Sequence, residues 1–179
     1  MHFFNYYDQH IVKYDLITKF RYKKLTNIPT IKFISLRIQF KNDDLKSLIT
    51  GLAGLELITS QKGTLIKSKV SKISVKIRKG QPIGCKLTLR QDKMFYFLTK
   101  LISYNTPKTH TSKLKNNLQH NLLSLNLSNV LIFSVLEKNY QFFRSLKNLN
   151  INLVTTSCSS KEFRFFIKSY KLKILNRQM

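Results

Sequence analysis

Apolar and polar residues alternate with period two along much of the chain, most densely in residues 61–90, QKGTLIKSKVSKISVKIRKGQPIGCKLTLR. In KISVKIR, Ile73, Val75 and Ile77 alternate with Lys72, Ser74, Lys76 and Arg78. In GCKLTLR, Cys85, Leu87 and Leu89 alternate with Gly84, Lys86, Thr88 and Arg90. Successive strand side chains point to opposite faces, so both segments predict half-buried strands, one face on a core and the other presenting cations and hydroxyls. Gly80, Gln81 and Pro82 supply turn chemistry between them, which makes RKGQP a loop tip carrying Arg78 and Lys79. The same period recurs in TIKFISLRIQF, where Ile34, Leu36, Ile38 and Phe40 share one face and Ser35, Arg37 and Gln39 the other. LNINLVTT at 149–156 alternates as well, and VLIFSVL at 130–136, an unbroken apolar run, predicts a buried strand.

Between these segments the period lengthens. Residues 6–20 place Tyr7, Ile11, Tyr14 and Ile17 on one helical stripe, and the connection FRYKKLTNIP that follows stops at Pro29. Asn42, Asp43 and Asp44 supply a cap and two acids at the positive end of a second helix, in which Leu45, Leu48, Ile49, Leu52 and Leu55 keep helical spacing. Gly51 and Gly54 in that helix read as a close-packing device, not a phosphate cradle. Asp92 caps a third helix with Met94, Phe97, Leu98, Leu101 and Ile102 inward. EKNYQFFRSLKNL has helical character, and Ser159 with Glu162 makes a capping-box pattern ahead of SKEFRFFIKSY. Residues 104–121 are polar, Asn-rich and basic and predict a long loop; residues 172–179 are a basic tail. The sum is an α+β fold: one domain over 1–179, an antiparallel or mixed sheet, helices packed on one face and a basic RNA-binding face on the other.

Charge turns that face into a function. Thirty-two Lys and Arg stand against eight Asp and Glu, a formal charge of +24. Nine of the cations fall in 61–90, and no acid occurs from 57 to 91. Solubility is served by mixed signs; a one-signed sheet face with interleaved Ser and Thr is suited to a polyanion, first of all a phosphate backbone. The face carries no aromatic row for base stacking, which favours backbone and shape recognition over single-strand reading. No apolar run is long enough to cross a membrane, and Leu122–Leu136 is broken by Ser124, Asn126, Ser128, Asn129 and Ser134. Cys85 and Cys158 form no disulfide framework; Cys85 reads as a small buried hydrophobe. His2, His10, His110 and His120 lack ligand spacing, so no metal or cofactor is expected. Asp43 and Asp44 point in different directions on a helix and are explained by the cap. With no nucleophile–base pair or phosphate loop, an enzyme is not expected.

The run QK-x-TLIKSK-x-S followed by KIRKGQPIGCKLTLR resembles the core of the large-subunit ribosomal protein five family, which binds 5S rRNA in the central protuberance. YYDQHIVKYDLITKF with NIP resembles the family's N-terminal helix and the approach to its first strand, and LNINLVTTSCSSKEFRFFI its last strand and helix. The resemblance implies an α+β fold whose concave sheet face grips rRNA. Carried over by position, Gln61, Thr88 and Arg90 match family contacts; Arg37 stands where the family usually has Asn, exchanging a two-way hydrogen-bonder for a pure cation. The basic pattern adds Lys62, Thr64, Lys67, Lys69 and Lys86 as rRNA contacts. KISVKIRKG resembles the segment that approaches the elbow of P-site tRNA, which assigns Lys72, Lys76, Arg78 and Lys79 to that role. Residues 104–148 depart most: the family's G-R-G-N-Y-S and I-F-P-E signatures are absent beyond LIFSVLE, where Ser134 stands in for Pro. That region normally helps to bridge towards the small-subunit head.

The expected role is therefore a structural constituent of a mitochondrial large ribosomal subunit. Its partners would be 5S-type or large-subunit rRNA, P-site tRNA, neighbouring large-subunit proteins and a small-subunit head protein. Residue usage, with one Ala and no Trp against abundant Lys, Asn, Ile and Phe, resembles an AT-rich organellar genome. MHFFNYYDQH has the layout of neither a presequence nor a signal peptide, and a product made inside the organelle needs neither. A plastid is the alternative location, and a non-ribosomal RNA-binding or RNA-chaperone protein the alternative function.

Overall fold

Period-two segments build one sheet. In the computed structural model, which describes residues 3–40, 45–71, 77–105, 117–119, 121–157 and 159–170, six strands lie in the order β2-β3-β1-β6-β5-β4, every pair antiparallel. They are β1 (Ile31–Gln39), β2 (Thr64–Lys67), β3 (Pro82–Leu89), β4 (Asn117–Gln119), β5 (Leu122–Asn129) and β6 (Lys147–Thr155). Three cross-strand rows make the inner face: Leu89–Ile34–Leu153–Leu123, Leu87–Leu36–Ile151–Leu125 and Cys85–Ile38–Leu149–Leu127. All twelve side chains are buried, and each contributes roughly 1.5–3 kcal/mol by leaving water.

The helices supply the other half of that core. The longest are α3 (Leu45–Thr59), α4 (Gln91–Asn105) and α7 (Ser160–Ser169). Leu48 and Leu55 of α3, Met94, Phe97, Leu98 and Leu101 of α4, and Phe163, Phe166 and Ile167 of α7 are buried. Gly51 and Gly54 let α3 approach closely: a Cβ would lie 2.6 Å from Phe40 Cζ at the first and 2.7 Å from Leu146 Cδ1 at the second. The Ser159 hydroxyl caps α7 by accepting from the Lys161 amide at 3.4 Å, with Glu162 in the first turn. The Asn42–Asp44 cap and residues 172–179 lie outside the described residues.

Four expectations change. The N-terminal helix runs from α1 (Phe3–Tyr7) through a π-helical turn (Asp8–Val12) into α2 (Lys13–Lys19). The wide turn, closed by the Lys13 amide on the Asp8 carbonyl, shifts the inward stripe to Asp8, Val12 and Leu16. Ile11, Tyr14 and Ile17 of the expected stripe are exposed. Second, VLIFSVL is no strand. Val130–Ile132 form a 3-10 turn, on which the Asn129 side chain accepts from the Leu131 amide at 3.0 Å, and α5 (Ser134–Glu137) follows. Its buried residues Val130, Phe133 and Leu136 recur every three positions, which is helical spacing; the strand is the preceding LLSLNLSN, which alternates. α6 (Tyr140–Phe143) supplies the helical character expected of 137–149. Third, residues 117–119 of the expected loop 104–121 pair with β5, and α4 extends to Asn105. Fourth, β3 pairs with TLIK in β2 and with β1, while most of the KISVKIR strand (72–76) lies outside the described residues. The expected turn at 78–81 is present: the Gln81 amide donates to the Arg78 carbonyl at 3.2 Å. Gly80 there has φ +87°, a conformation side-chain-bearing residues rarely adopt.

Candidate nucleic-acid interface

The outer face of the sheet inherits every second residue that the core rejects. Register sets the polar residues in rows across the strands. One row runs Thr64–Lys86–Arg37–Asn150–Asn126, from β2 to β5. The next runs Thr88–Ser35–Asn152–Ser124. Arg37, Thr64, Lys86 and Thr88 are exposed; the Asn and Ser residues are half-buried. The edge nearest β2 is thus cationic and the centre a carpet of amides and hydroxyls, which both donate and accept.

Local bonds hold these groups in place. The Thr64 hydroxyl donates to the Lys86 carbonyl at 3.3 Å, and Gln61 Nε2 donates to the Thr88 carbonyl at 3.2 Å. Gln61 therefore ties the end of α3 to the cationic edge. The Ser124 hydroxyl donates to Asn152 Oδ1 at 2.7 Å, whereas buried Asn126 Oδ1 has no hydrogen-bond partner. Arg90, the next outward position after Lys86 and Thr88, lays its guanidinium 5.5 Å from the centre of the Phe33 ring. Lys62, Lys67 and Lys69 are exposed in and around β2. Arg78 and Lys79 are exposed at the turn tip, where the Arg78 amide donates to Gln81 Oε1 at 2.7 Å. Lys72 and Lys76 lie outside the described residues.

Acids are segregated from this face. The six described ones, Asp8, Asp15, Glu56, Asp92, Glu137 and Glu162, all lie in helical segments, and no strand contains one. Cations on the outer face therefore meet no internal counter-charge there, and the field above the sheet is positive. Among the described residues, no group of three His, Cys, Asp or Glu is placed to hold a metal. Cys85 is buried, its thiol donating to the Leu48 carbonyl at 3.5 Å, and burial pushes its pKa up to about 11, so it is not a nucleophile. Sequence reasoning missed the β6 and β5 share of the face. Its signal is the Asn150, Asn152, Ser124 and Asn126 alternation, which is uncharged and draws no attention until register sets it beside Arg37.

A basic sheet face without acids has the chemistry of an RNA-binding surface, and relatives identify the lineage. A profile of the C-terminus of the ribosomal protein five (uL5) family matches residues 82–174. The large ribosomal subunit protein uL5m of Reclinomonas americana is 33% identical over 174 residues, covering 94% of this chain and 96% of that protein. The chain belongs to the uL5 family. Bacterial uL5 proteins match at similar levels. That of Ehrlichia canis is 32% identical over 173 residues, 95% of this chain and 97% of its own length. That of Blochmanniella floridana is 30% identical over 177 residues, 96% of this chain and 92% of its own. Membership in a family of ribosomal structural proteins agrees with the expectation that the chain is not an enzyme. Among the described residues, no helix is long and apolar enough to cross a membrane.

Proposed function

We propose that the chain is a structural constituent of a mitochondrial large ribosomal subunit that grips rRNA, a 5S-type rRNA where the organelle has one, with the outer face of its sheet. The observation that carries this reading is the cross-strand row Thr64–Lys86–Arg37–Asn150–Asn126 on a sheet with no acid in any strand. Lys86 and Arg37 neutralise phosphates, and the Thr and Asn positions exchange hydrogen bonds with phosphates and ribose hydroxyls. The mitochondrial name of the Reclinomonas relative supports the location. Arg78 and Lys79 at the turn tip, with Lys72 and Lys76, face P-site tRNA in this reading, and the diverged region 104–148 faces the small-subunit head.

Cosedimentation tests it. The protein stays with the large subunit through a high-salt wash, and Arg37→Glu with Lys86→Glu releases it. Lys76→Glu with Arg78→Glu lowers tRNA affinity while leaving subunit association in place. A wild-type protein that washes off entirely is a loosely bound factor and contradicts the reading.

A further inference from the structure

Just beyond the end of β3, the outer face runs into a pocket of about 490 Å³ lined by Asp8, Ile31, Lys32, Arg90, Met94 and Phe95 among others. We propose that this pocket receives a single unstacked base of the bound RNA, guanine best, with its Watson–Crick edge turned to Asp8. The inference rests on the reading of the sheet face as an RNA interface and adds a base-specific contact to it.

Asp8 carries the argument. It is the only described acid that is buried, 5% exposed, yet it lines this pocket. Its carboxylate accepts a hydrogen bond from the Tyr170 hydroxyl through Oδ1 and makes no ion pair with Lys32 or Arg90, which line the same space. A carboxylate placed only to hold a tyrosine hydroxyl would incur the desolvation of a charge for a bond that a neutral amide oxygen also accepts. Kept apart from the neighbouring cations, it remains an acceptor, and a carboxylate can only accept. Guanine offers two adjacent donors, its N1–H and its 2-amino group, on one edge. Adenine and cytosine offer one amino group, and uracil one imino proton.

The rest of the pocket fits the remainder of a nucleotide. Ile31, Met94 and Phe95 provide apolar walls for a ring, and the volume is in the usual range of about 300–1,000 Å³ for small-molecule sites. Exposed Lys32 and the Arg90 guanidinium, positioned over Phe33, stand where the flanking phosphates would pass. Arg90 continues the outward series Lys86, Thr88, so an RNA strand lying on the sheet reaches the pocket without leaving the protein. Unstacked bases held on their Watson–Crick edges are the common route to sequence-specific RNA recognition.

The test uses the full chain with a methyl label on methionine, following Met94 on titration with GMP, AMP, CMP, UMP and inorganic phosphate. GMP moves the Met94 signal and binds roughly tenfold more tightly than CMP, the discrimination expected of one good bidentate contact. Asp8→Asn, whose carboxamide oxygen still accepts from Tyr170, removes that preference. Should Asp8→Asn not fold, Arg90→Ala serves instead: it weakens all four nucleotides alike and leaves their order unchanged. No Met94 shift, a shift that phosphate reproduces, an unchanged preference in Asp8→Asn, or a lost order in Arg90→Ala overturns the proposal. rRNA binding that remains sensitive to Lys86→Glu beside a silent pocket would sink the pocket alone. Insensitivity to Lys86→Glu would sink the interface itself.

Discussion

At the scale of single residues, two buried polar groups set opposing demands. Burial raises the pKa of Asp8 from 3.8, outweighing the Tyr170 hydrogen bond and the Lys13 charge that lower it. Burial also raises Tyr170, as do the charge and hydrogen bond of Asp8. The folded chain therefore holds the Asp8 proton to higher pH than the unfolded chain, and stability falls as pH rises from about 3.8 to the raised folded value, then stays at the lower level. Asp8→Asn removes this dependence, so thermal unfolding of the variant is flatter across that window and the variant gains on the wild type as pH increases. Asn126 Oδ1 is a sealed acceptor without a partner, and such a group costs about 1–3 kcal/mol. Asn126→Leu is expected to stabilise the isolated protein in a denaturant titration while weakening its hold on rRNA. A variant neutral in both assays would mean that the position serves neither purpose.

At the scale of elements, the fold was legible wherever two signals agreed. β1 and β3 showed alternation with polar residues of one character, and α4 and α7 combined apolar spacing with end signals; the structure has all four. Legibility failed where one signal was misleading. VLIFSVL is apolar throughout, so its three-residue burial period was invisible beside its hydrophobicity. The N-terminal stripe was misplaced because a π-helical turn adds a residue to the repeat and because its first inward position is an acid. The cationic edge was visible as charge; the amide carpet of β6 and β5 became part of the site only through register. Two elements invite direct tests. Gly54→Val forces a branched side chain onto Leu146 and Phe143 and should lower stability by about 1–3 kcal/mol, read from the denaturation midpoint. Ser159→Ala removes the α7 cap and should cost about 1 kcal/mol, with Ser159→Gly nearly neutral.

At the scale of the whole molecule, the fold sorts charge. A chain of formal charge +24 puts its described acids in helical segments and leaves its strands without any, so that the sheet's outer face is available to a polyanion. Binding through such a face releases counterions, and log affinity for rRNA should fall linearly with log salt. Lys86→Glu should make that slope shallower by about one unit or more, since one phosphate contact is lost and a repulsion added. The same logic locates the central claim on the surface. The most direct test is crosslinking within purified ribosomes, followed by mapping of the RNA joined to peptides of β1, β2 and β3. Crosslinks from Arg37, Thr64 and Lys86 to a 5S-type or large-subunit rRNA are the predicted result. Crosslinks confined to the helical side of the molecule, or none to ribosomal RNA, would contradict the account.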